Sequence, residues 1–352
     1  MTVMTVEGFT CAAPMPVRDR VVLGHGSGGK LSAALLREHF LPHFRSSALH
    51  LLGDGAVVSA GRTPVVLTTD SFVVNPLEFS GGNIGTLAIN GTVNDLAMMG
   101  ARPCFVTAGF IIEEGLSLDV LDRIVAAMAD AARIAGVQLV AGDTKVVEHG
   151  KGDGVFINTS GLGLANSEFA PSPDRAAPGD AVLVTGPIGV HGMTILSTRE
   201  GLGFDADLAS DTACLFPLVE AVRIATDNAV HVLRDPTRGG VASALNEIAA
   251  SSRVGIAIDE HVLPVPAAVA GACEMLGLDP LYVANEGNFV AFVPEAQASA
   301  ALDAMHAHPL GREARRIGTV VDEHPGLVVM RTALGGTRVV DLLSGDQLPR
   351  IC

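Results

Sequence analysis

The chain has 352 residues, of which 48% are hydrophobic, and its mean hydropathy is +0.41. This length is sufficient for two domains with substantial buried cores. The chain carries 38 acidic and 23 basic residues, a formal charge of −15, so we expect it to be repelled by nucleic acid and by anionic membrane surfaces.

Cysteine usage and the N-terminus indicate the compartment. The five cysteines are scattered, odd in number and without a C-x-x-C pair, which argues against a disulfide framework and a structural zinc site. The first residues lack the basic and apolar regions of an export signal, and no apolar run reaches membrane-spanning length. We therefore predict a cytoplasmic protein without a membrane span.

The first half of the chain has the pattern of a mixed α/β domain. Residues 1–20 are predicted to be a flexible leader, and a glycine-rich stretch at 24–30 precedes an amphipathic segment at 31–40, as at a loop-to-helix junction. Further helices are predicted over 83–100 and 117–135. Apolar runs predict strands at 64–70, 104–109, 137–143 and 155–159. We assign residues 21–165 to this N-terminal domain.

A second α/β pattern follows a polar, proline-containing connector at 166–179. It begins with an apolar run at 180–187, and helices are predicted near 191–200, 211–227, 239–251 and 296–307. Strands are predicted at 230–233, 255–258, 288–293 and 326–330. We assign 180–340 to a C-terminal domain and 341–352 to a mobile tail.

Aspartates at the ends of apolar runs form the clearest functional pattern, because strand ends are where α/β proteins display functional groups. Magnesium prefers hard oxygen ligands, so a few carboxylates with substrate phosphates would form a site for a nucleoside triphosphate. The alternative is that each aspartate caps a helix or turn. The five residues are Asp54, Asp70, Asp95, Asp143 and Asp235.

Two further stretches have the composition of a ligand site. The Gly24–Lys30 segment offers backbone N–H groups and a lysine to phosphates, although it is not a Walker A motif because Leu31 follows the lysine. A plain flexible loop is the alternative. Asn83, Asn90 and Asn94 share one helix face and need hydrogen-bond partners, which a ligand or neighbouring backbone would supply.

Two charged residues and one thiol complete the set of candidates. Lys145 and Glu286 lie in apolar, glycine-bearing surroundings where a pKa can be tuned for proton transfer, and a structural ion pair is the alternative. Cys352 is the last residue, where a thiol can carry a substrate between sites, although an incidental exposed thiol is commoner. The eleven histidines, His191 among them, show no metal-ligand spacing, and we interpret most as surface or packing residues.

Taken in order, these motifs resemble a hydrogenase maturation family within the superfamily of aminoimidazole ribonucleotide synthetase and selenophosphate synthetase. The resemblance runs from about residue 20 to the C-terminus. It is carried by Gly24-His-Gly-Ser-Gly-Gly-Lys, Thr68-Thr-Asp-Ser-Phe, Asn90-Gly-Thr-Val-Asn-Asp-Leu-Ala-Met-Met-Gly-Ala, Gly142-Asp-Thr-Lys-Val-Val, Asp235-Pro-Thr-Arg-Gly-Gly, Asn285-Glu-Gly and Pro349-Arg-Ile-Cys.

The resemblance implies an α/β (α+β) protein of two domains with a flexible tail. The N-terminal domains would pair in a homodimer and form the ATP sites. In the family, a carbamoyltransferase, HypF, places a carbamoyl group on the terminal cysteine, and ATP-dependent dehydration converts this thiocarboxamide into a thiocyanate. The cyano group then passes to iron held by a HypC–HypD complex, for the active site of a nickel-iron hydrogenase.

The resemblance also implies roles for individual residues. Cys352 would carry the substrate, and Glu286 and Lys145 would deprotonate its amide. In the tail, Gly345 and the preceding serine would give flexibility, Pro349 would stiffen the end, and Arg350 would steer it toward an acidic pocket. The magnesium ligands would be Asp54, Asp95 and Asp235. The ATP-binding residues would be Gly26, Gly28, Gly29, Lys30, Asp70, Asn90, Asn94 and Asp143.

One position departs from the family pattern, and two alternatives stay open. Relatives often carry a second acidic residue after the first aspartate, where this chain has Gly55. A selenophosphate synthetase generally has a reactive cysteine or selenocysteine in its glycine-rich loop, where this chain has His25 and Ser27. The other alternative is a nucleotide-binding scaffold that organises maturation partners without turnover.

Overall fold

The structure, a computed structural model, describes residues 20–44, 47–202, 208–343, 348 and 350–352. The predicted leader, apart from Arg20, and the tail residues Gly345 and Pro349 lie outside the described residues. Two large sheets fall on either side of the predicted connector, and helices pack on both. This is the two-domain α/β arrangement that the sequence predicts.

The N-terminal domain is built on a five-stranded sheet of order β1-β2-β7-β5-β6. Its strands are β1 Ala56–Ala60, β2 Thr63–Phe72, β5 Ala101–Glu113, β6 Gln138–Val147 and β7 Val155–Ala165, and β3 Glu78–Phe79 pairs with β4 Gly82–Asn83 in a separate ribbon. The helices are α1 Lys30–Leu35, α2 Ile84–Met98 and α3 Leu118–Ala135, with a π-helical turn, Leu36–Phe40, after α1. All four predicted strands and both predicted long helices are confirmed.

Helix α2 is the central element of this domain. It begins at Asn83, whose side-chain oxygen accepts hydrogen bonds from the backbone N–H groups of Gly85 and Thr86 at 2.9 and 3.1 Å. The helix is buried along almost its whole length, between the sheet, α3 and the C-terminal domain. Its polar residues Asn90, Asn94 and Asp95 are therefore held in the interior, where each polar group needs a partner.

The C-terminal domain has a seven-stranded sheet of order β14-β13-β10-β12-β8-β11-β9. Its strands are β8 Ala181–Val184, β9 Val232–Arg234, β10 Gly255–Asp259, β11 Val290–Val293, β12 Arg315–Val321, β13 Val328–Arg331 and β14 Thr337–Val340. Its helices are α4 Val190–Glu200, α5 Phe216–Ala225, α6 Gly240–Ser252, α7 Ala267–Leu276 and α8 Glu295–Ala307.

The predicted helix over 211–227 is wrong at its start. Helix α5 begins at Phe216, with Pro217 in its first turn, where the missing proline N–H is not needed. Residues 208–215 instead form an irregular segment that contacts the N-terminal domain. One such contact is a hydrogen bond of 2.8 Å from the backbone N–H of Leu215 to the side-chain oxygen of Asn94 in α2. The sequence prediction also missed β1, α7, β12 and β14.

The two domains share buried surface. Ala97 and Met98 at the end of α2 join a hydrophobic cluster with Leu215, Leu218 and other residues of the C-terminal domain. No helix of the described chain is long and apolar enough to span a membrane. The shared core fixes the N-terminal sheet relative to β9 and α4, which is what brings the site residues together.

The close approach of α2 to α3 can be tested at Gly85. A Cβ at this position would lie 2.3 Å from the backbone oxygen of Ile124, so Gly85→Ala must push the two helices apart. We expect a loss of about 2 kcal/mol in the free energy of unfolding. The measurement is urea unfolding followed by circular dichroism.

Gly271→Ala in α7 is the matched control, because apart from its chain neighbours and the backbone of α7 itself no atom of the described residues lies within 4 Å of the point that a Cβ would occupy there. Alanine is the better helix former, so we expect this variant to gain up to about 1 kcal/mol. Equal effects of the two substitutions would contradict the tight α2–α3 contact.

Candidate functional site

Three aspartates from separate elements converge at one point. Asp54 precedes β1, Asp95 lies in the last turn of α2, and Asp235 directly follows β9. One carboxylate oxygen of each lies within 4.8 Å of those of the other two. The structure thus brings together the three predicted magnesium ligands, and their metal role stays a prediction.

The electrostatics of this cluster fit a cation. Burial is the first cause that raises the pKa of all three carboxyl groups, well above the ordinary value for Asp54 and Asp95, and to about 6 for Asp235. Each also repels the others. Partial compensation comes from Arg234, whose Nη1 lies 2.9 Å from Asp54 Oδ1, and from the Thr68 hydroxyl, which donates to Asp95 at 2.7 Å. Hard oxygen ligands whose negative charge is only partly compensated suit Mg²⁺.

Asp70 and Glu286 extend the acidic surroundings. Burial raises the pKa of Asp70, while Arg238 opposes the shift. Glu286 is only 3% exposed, and its pKa is raised well above the ordinary value, first by burial and then by the charges of Asp235 and Asp70. Its Oε1 atom has no hydrogen-bond partner among the described residues. A buried carboxyl with a free oxygen is suited to accept a proton from a bound substrate.

The end of the tail is docked at this acidic site. The Val73 amide donates to the Cys352 backbone oxygen at 3.0 Å, and Ile351 is 4% exposed. Burial is the first cause that raises the pKa of the Cys352 thiol, and the charge of Glu286 raises it further, whereas Arg238 lowers it. The predicted substrate carrier and the predicted base therefore lie in one site, while movement of the tail stays a prediction.

Arg350 makes one contact with an acidic residue, while its predicted steering of the tail toward an acidic pocket stays a prediction. Its guanidinium forms an ion pair with Asp153 and lies 5.9 Å from the centre of the Phe156 ring. Its Nε donates to the Val73 backbone oxygen at 3.1 Å. These contacts anchor the tail beside the acidic cluster rather than on it.

The glycine-rich loop is shaped by close backbone contacts. Gly28 has φ +77°, and a Cβ there would lie 2.8 Å from the Arg238 carbonyl oxygen; a Cβ at Gly29 would lie 2.4 Å from the Leu343 oxygen. Lys30 Nζ lies 2.5 Å from Asp341 Oδ2. The loop borders a cavity of about 300 Å³ whose lining includes Gly26, Ser71, Arg238, Tyr282, Arg350 and Cys352. Binding of ATP phosphates by this loop stays a prediction.

The two helix asparagines contact protein groups in the structure. Asn90 Nδ2 donates to Thr212 Oγ1 at 3.2 Å, and Asn94 Nδ2 donates to the Ala213 oxygen at 3.0 Å. Asn94 Oδ1 accepts the Leu215 amide. Both asparagines therefore hold the 208–215 segment. Protein groups supply their hydrogen-bond partners, as in the alternative to a ligand that the sequence left open, and their contact with ATP stays a prediction.

Asp143 and Lys145 lie away from the acidic cluster of the same chain. They form an ion pair with each other on the edge strand β6, with side chains 71% and 67% exposed. Strand register shows that the two aspartates face opposite ways. Asp143 of β6 pairs with Gly109 of β5. Asp70 of β2 pairs with Thr159 of β7, and Thr159 pairs with Ala108 of β5, the residue next to Gly109. Because neighbouring residues of β5 point to opposite sheet faces, Asp143 and Asp70 lie on opposite faces.

Sequence reasoning missed four residues of this site. Arg234 and Arg238 flank Asp235 in the run Arg-Asp-Pro-Thr-Arg, and two cations beside a buried carboxylate are a signal that could have been used. His191 and Asp211 show no motif. The Asp211 carboxylate accepts a hydrogen bond of 3.1 Å from the backbone N–H of Glu286, and burial raises the pKa of Asp211 to about 6.

The buried state of Glu286 predicts a pH dependence of stability. Its folded-state pKa lies above the ordinary value of 4.5, so above pH 4.5 the unfolded chain releases this proton while the folded chain retains it, and stability falls as the pH rises. The isosteric Glu286→Gln lacks this loss. We expect it to be more stable than wild type, by a margin that grows as the pH rises from 4.5 to the folded-state pKa of Glu286, at up to about 1.4 kcal/mol per pH unit. Urea unfolding at several pH values measures the margin, and a margin independent of pH would contradict a raised pKa.

Models of two protein families match the chain. The N-terminal domain of AIR synthase related proteins matches residues 52–165, and the C-terminal domain of AIR synthase related proteins matches residues 177–330. Together these matches cover most of the chain.

Relatives match at nearly full length. The chain is 54% identical to carbamoyl dehydratase HypE of Azotobacter vinelandii over 94% of this chain and 97% of the relative. A crystal structure of a HypE–HypF complex contains a chain with 48% identity and a TM-score of 0.84, covering 88% of this chain and 100% of that one. A HypE crystal structure in complex with ATP has 49% identity and a TM-score of 0.80, covering 95% of this chain and 100% of that one.

Proposed function

The chain belongs to the HypE family of carbamoyl dehydratases, and we propose that it uses ATP to dehydrate an S-carbamoyl group on Cys352 to a thiocyanate. The product would supply the cyanide ligand for the iron of a nickel-iron hydrogenase. The observation that carries this proposal is the position of Cys352 beside Glu286: burial is the first cause that raises the pKa of its thiol, and the charge of Glu286 raises it further. The proposed substrate-bearing sulfur and the proposed base would thus share one site.

The chemistry needs one oxygen activated and two protons removed. The carbamoyl oxygen attacks the γ-phosphorus of ATP, which breaks the bond to ADP and makes that oxygen part of a phosphate that can leave. Loss of two protons from the amide nitrogen then forms the C≡N bond as inorganic phosphate departs. Glu286, as the carboxylate, accepts one of these protons at its free Oε1 atom, because no described group competes for that oxygen, and the departing phosphate takes the other to leave as HPO₄²⁻.

Three residues would hold Mg²⁺ and others would steer the phosphates. Asp54, Asp95 and Asp235 would be the metal ligands, and the ion would neutralise charge on the transferring phosphoryl group. Arg238 borders the cavity beside the docked tail, where its guanidinium would attract the leaving phosphate. The enzymatic interpretation is therefore favoured over the scaffold, and the loop residues His25 and Ser27 disfavour a selenophosphate synthetase.

Two partners follow from the proposed reaction. A carbamoyltransferase must load Cys352, and the structure of a related HypE bound to HypF supports HypF in this role. A HypC–HypD complex carrying iron would receive the cyano group. These partners act before and after dehydration, so the loaded tail would need to be accessible outside the acidic site.

Intact-protein mass spectrometry tests the reaction directly. After incubation with HypF, carbamoyl phosphate, ATP and Mg²⁺, we expect wild type to gain a carbamoyl group and then lose one water. Cys352→Ala should gain nothing, and Glu286→Gln should accumulate the carbamoyl form, with dehydration slowed about 100-fold or more, because a general base is removed.

Glu295→Gln is the matched control, since Glu295 is an exposed residue at the start of α8 that forms an ion pair with Arg316 of β12. It should behave as wild type. Wild-type dehydration by Glu286→Gln would exclude Glu286 as the base, and an unmodified wild-type tail in the presence of active HypF would refute the proposed function.

We also propose that a second copy of the chain covers the open face of the N-terminal sheet. Leu67 aligns with Leu162, and Leu162 aligns with Phe105, so these three side chains share one sheet face. Four large apolar residues of this face are 43–47% exposed, which is unusual for a sheet face that meets only water. They are Leu67, Phe105, Ile111 and Leu164.

The same face carries the two predicted site residues that lie apart from the acidic cluster. Lys145 aligns with Ile111, and Asp143 aligns with Gly109, two positions from Ile111 on the same face. If a second copy packs on this face, Lys145 and Asp143 of the first copy lie against the N-terminal domain of the second. We therefore propose that these residues act in the site of the neighbouring subunit.

Mixing two inactive variants tests this sharing. Lys145→Ala and Glu286→Gln should each be inactive, but a mixed dimer contains one site with a wild-type Glu286 and a wild-type Lys145 from the other chain. We expect about a quarter of wild-type dehydration after subunit exchange at equal concentrations, because half of the dimers are mixed and each has one complete site.

The dimer itself is checked by sedimentation. Phe105→Glu should sediment as a monomer, because burying its charge on the shared face is costly, and it should abolish the rescue when built into both variants. Leu334→Glu changes a residue that is 98% exposed in the C-terminal domain and should leave both results unchanged. Failure of the mixed dimers to recover activity would place Lys145 outside the neighbouring site.

A further inference from the structure

The docked tail is held by a buried histidine that the proposed chemistry does not use. His191 lies in the first turn of α4, is fully buried, and meets the Phe79 ring edge-on with 5.7 Å between ring centres. Its Nε2 lies 2.9 Å from the backbone oxygen of Ile351, the residue before Cys352. The contact joins the C-terminal domain directly to the substrate-bearing end of the chain.

The hydrogen-bond directions around this histidine are fixed by their neighbours. A carbonyl oxygen only accepts, so Nε2 must carry the proton that it donates to Ile351. In the neutral ring Nδ1 then accepts, and Ser210 Oγ lies 2.7 Å from it. The Thr212 amide donates to the same Ser210 oxygen at 3.2 Å, which leaves the Ser210 proton for His191. Burial lowers the pKa of His191 to about 4, so the neutral ring is the form present at neutral pH.

The residues that hold the histidine also hold the base. Ser210, which orients His191, is followed by Asp211, whose carboxylate accepts the amide of Glu286 at 3.1 Å. Helix α4 adds a second tail contact further along, because Arg199 Nη2 donates to the Arg350 oxygen at 2.6 Å. One short segment therefore links the position of the tail carbonyl to the position of Glu286.

We propose that His191, oriented by Ser210, is a positioning residue that fixes the Ile351 carbonyl and thereby sets the Cys352 sulfur against Glu286. The proposal rests on the proposed function in taking the docked tail as the working position. It assigns His191 no contact with the reacting atoms. Its role is to favour the docked tail over the free one, by supplying a buried donor to a carbonyl that would otherwise be buried without a partner.

Alkylation of Cys352 by iodoacetamide measures docking without ATP, HypF or turnover. The docked Cys352 is only partly exposed, and its raised thiol pKa disfavours the reactive thiolate, so its modification rate rises with the fraction of free tail. The rate is read against Cys104, a partly exposed thiol of β5, and against Cys273, which is 1% exposed and reports loosening of the whole fold. The three cysteines are resolved by peptide mass spectrometry of the full-length protein.

His191→Phe keeps the ring packing beside Phe79 but removes the donor. We expect it to raise the ratio of Cys352 to Cys104 modification about tenfold, with Cys273 unchanged. Ser210→Ala should raise the ratio by a smaller factor, since it removes only the group that fixes the tautomer. His191→Gln, which can donate an amide proton, should restore part of the wild-type ratio. His306→Phe is the matched control, because it removes another histidine contact to a carbonyl, that of Ala314 at 3.0 Å.

The outcomes separate the alternatives. An unchanged Cys352 ratio in His191→Phe overturns the proposal, and so does a parallel rise at Cys273, which would show that His191 only maintains the fold. In single-turnover dehydration, His191→Phe should be carbamoylated at least as fast as wild type, because its tail is more often free, and should lose water about tenfold more slowly. If wild type is never carbamoylated, the proposed function fails while the alkylation result still decides the role of His191.

Discussion

The arrangement of the two domains must hold a cluster of buried carboxyl groups together against their mutual repulsion. Five carboxyl groups approach one another in the interior, and two arginines, Arg234 and Arg238, only partly compensate them. Burying like charges is costly, so they must be held by elements that cannot separate. The shared core between α2 and the C-terminal domain provides this constraint, and a bound divalent cation would relieve the repulsion. The five residues are Asp54, Asp70, Asp95, Asp235 and Glu286.

The same charge determines what Cys352 can do in each position. In the docked tail, burial and Glu286 raise the pKa of the thiol, which suppresses the thiolate that would attack a carbamoyl donor. The docked position therefore disfavours loading of the thiol. Once the sulfur carries a carbamoyl group, no thiolate is needed, and the raised pKa of Glu286 makes its carboxylate a stronger base. In the proposed function, this one environment would therefore disfavour loading of Cys352 while it favours the later dehydration.

The sequence predicts the elements and the acidic cluster better than it predicts the pairing of side chains. Asp54, Asp95 and Asp235 lie at the ends of elements or on a buried helix, and hydrophobic patterns in the sequence predict such positions correctly. Asp143 shares the strand-end pattern yet lies on the opposite sheet face from Asp70, because a β-bulge and the strand register decide the face and neither is visible in the sequence. The role of His191 in the tail contact has no sequence signal either, since its partners are a backbone carbonyl and a serine far along the chain.

The segment 208–215 shows why the site needs both domains in one arrangement. Ser210 donates its amide to the Ser80 oxygen of the N-terminal domain at 2.8 Å, while its side chain contacts His191 of the C-terminal domain. A Cβ at Gly81 would lie 2.7 Å from the Ser210 oxygen, so the two domains meet there without slack. A shift of one domain against the other would displace Ser210 together with Asp211, and hence the tail carbonyl together with Glu286. The proposed catalytic base and the proposed substrate carrier are therefore positioned by contacts that meet in one segment.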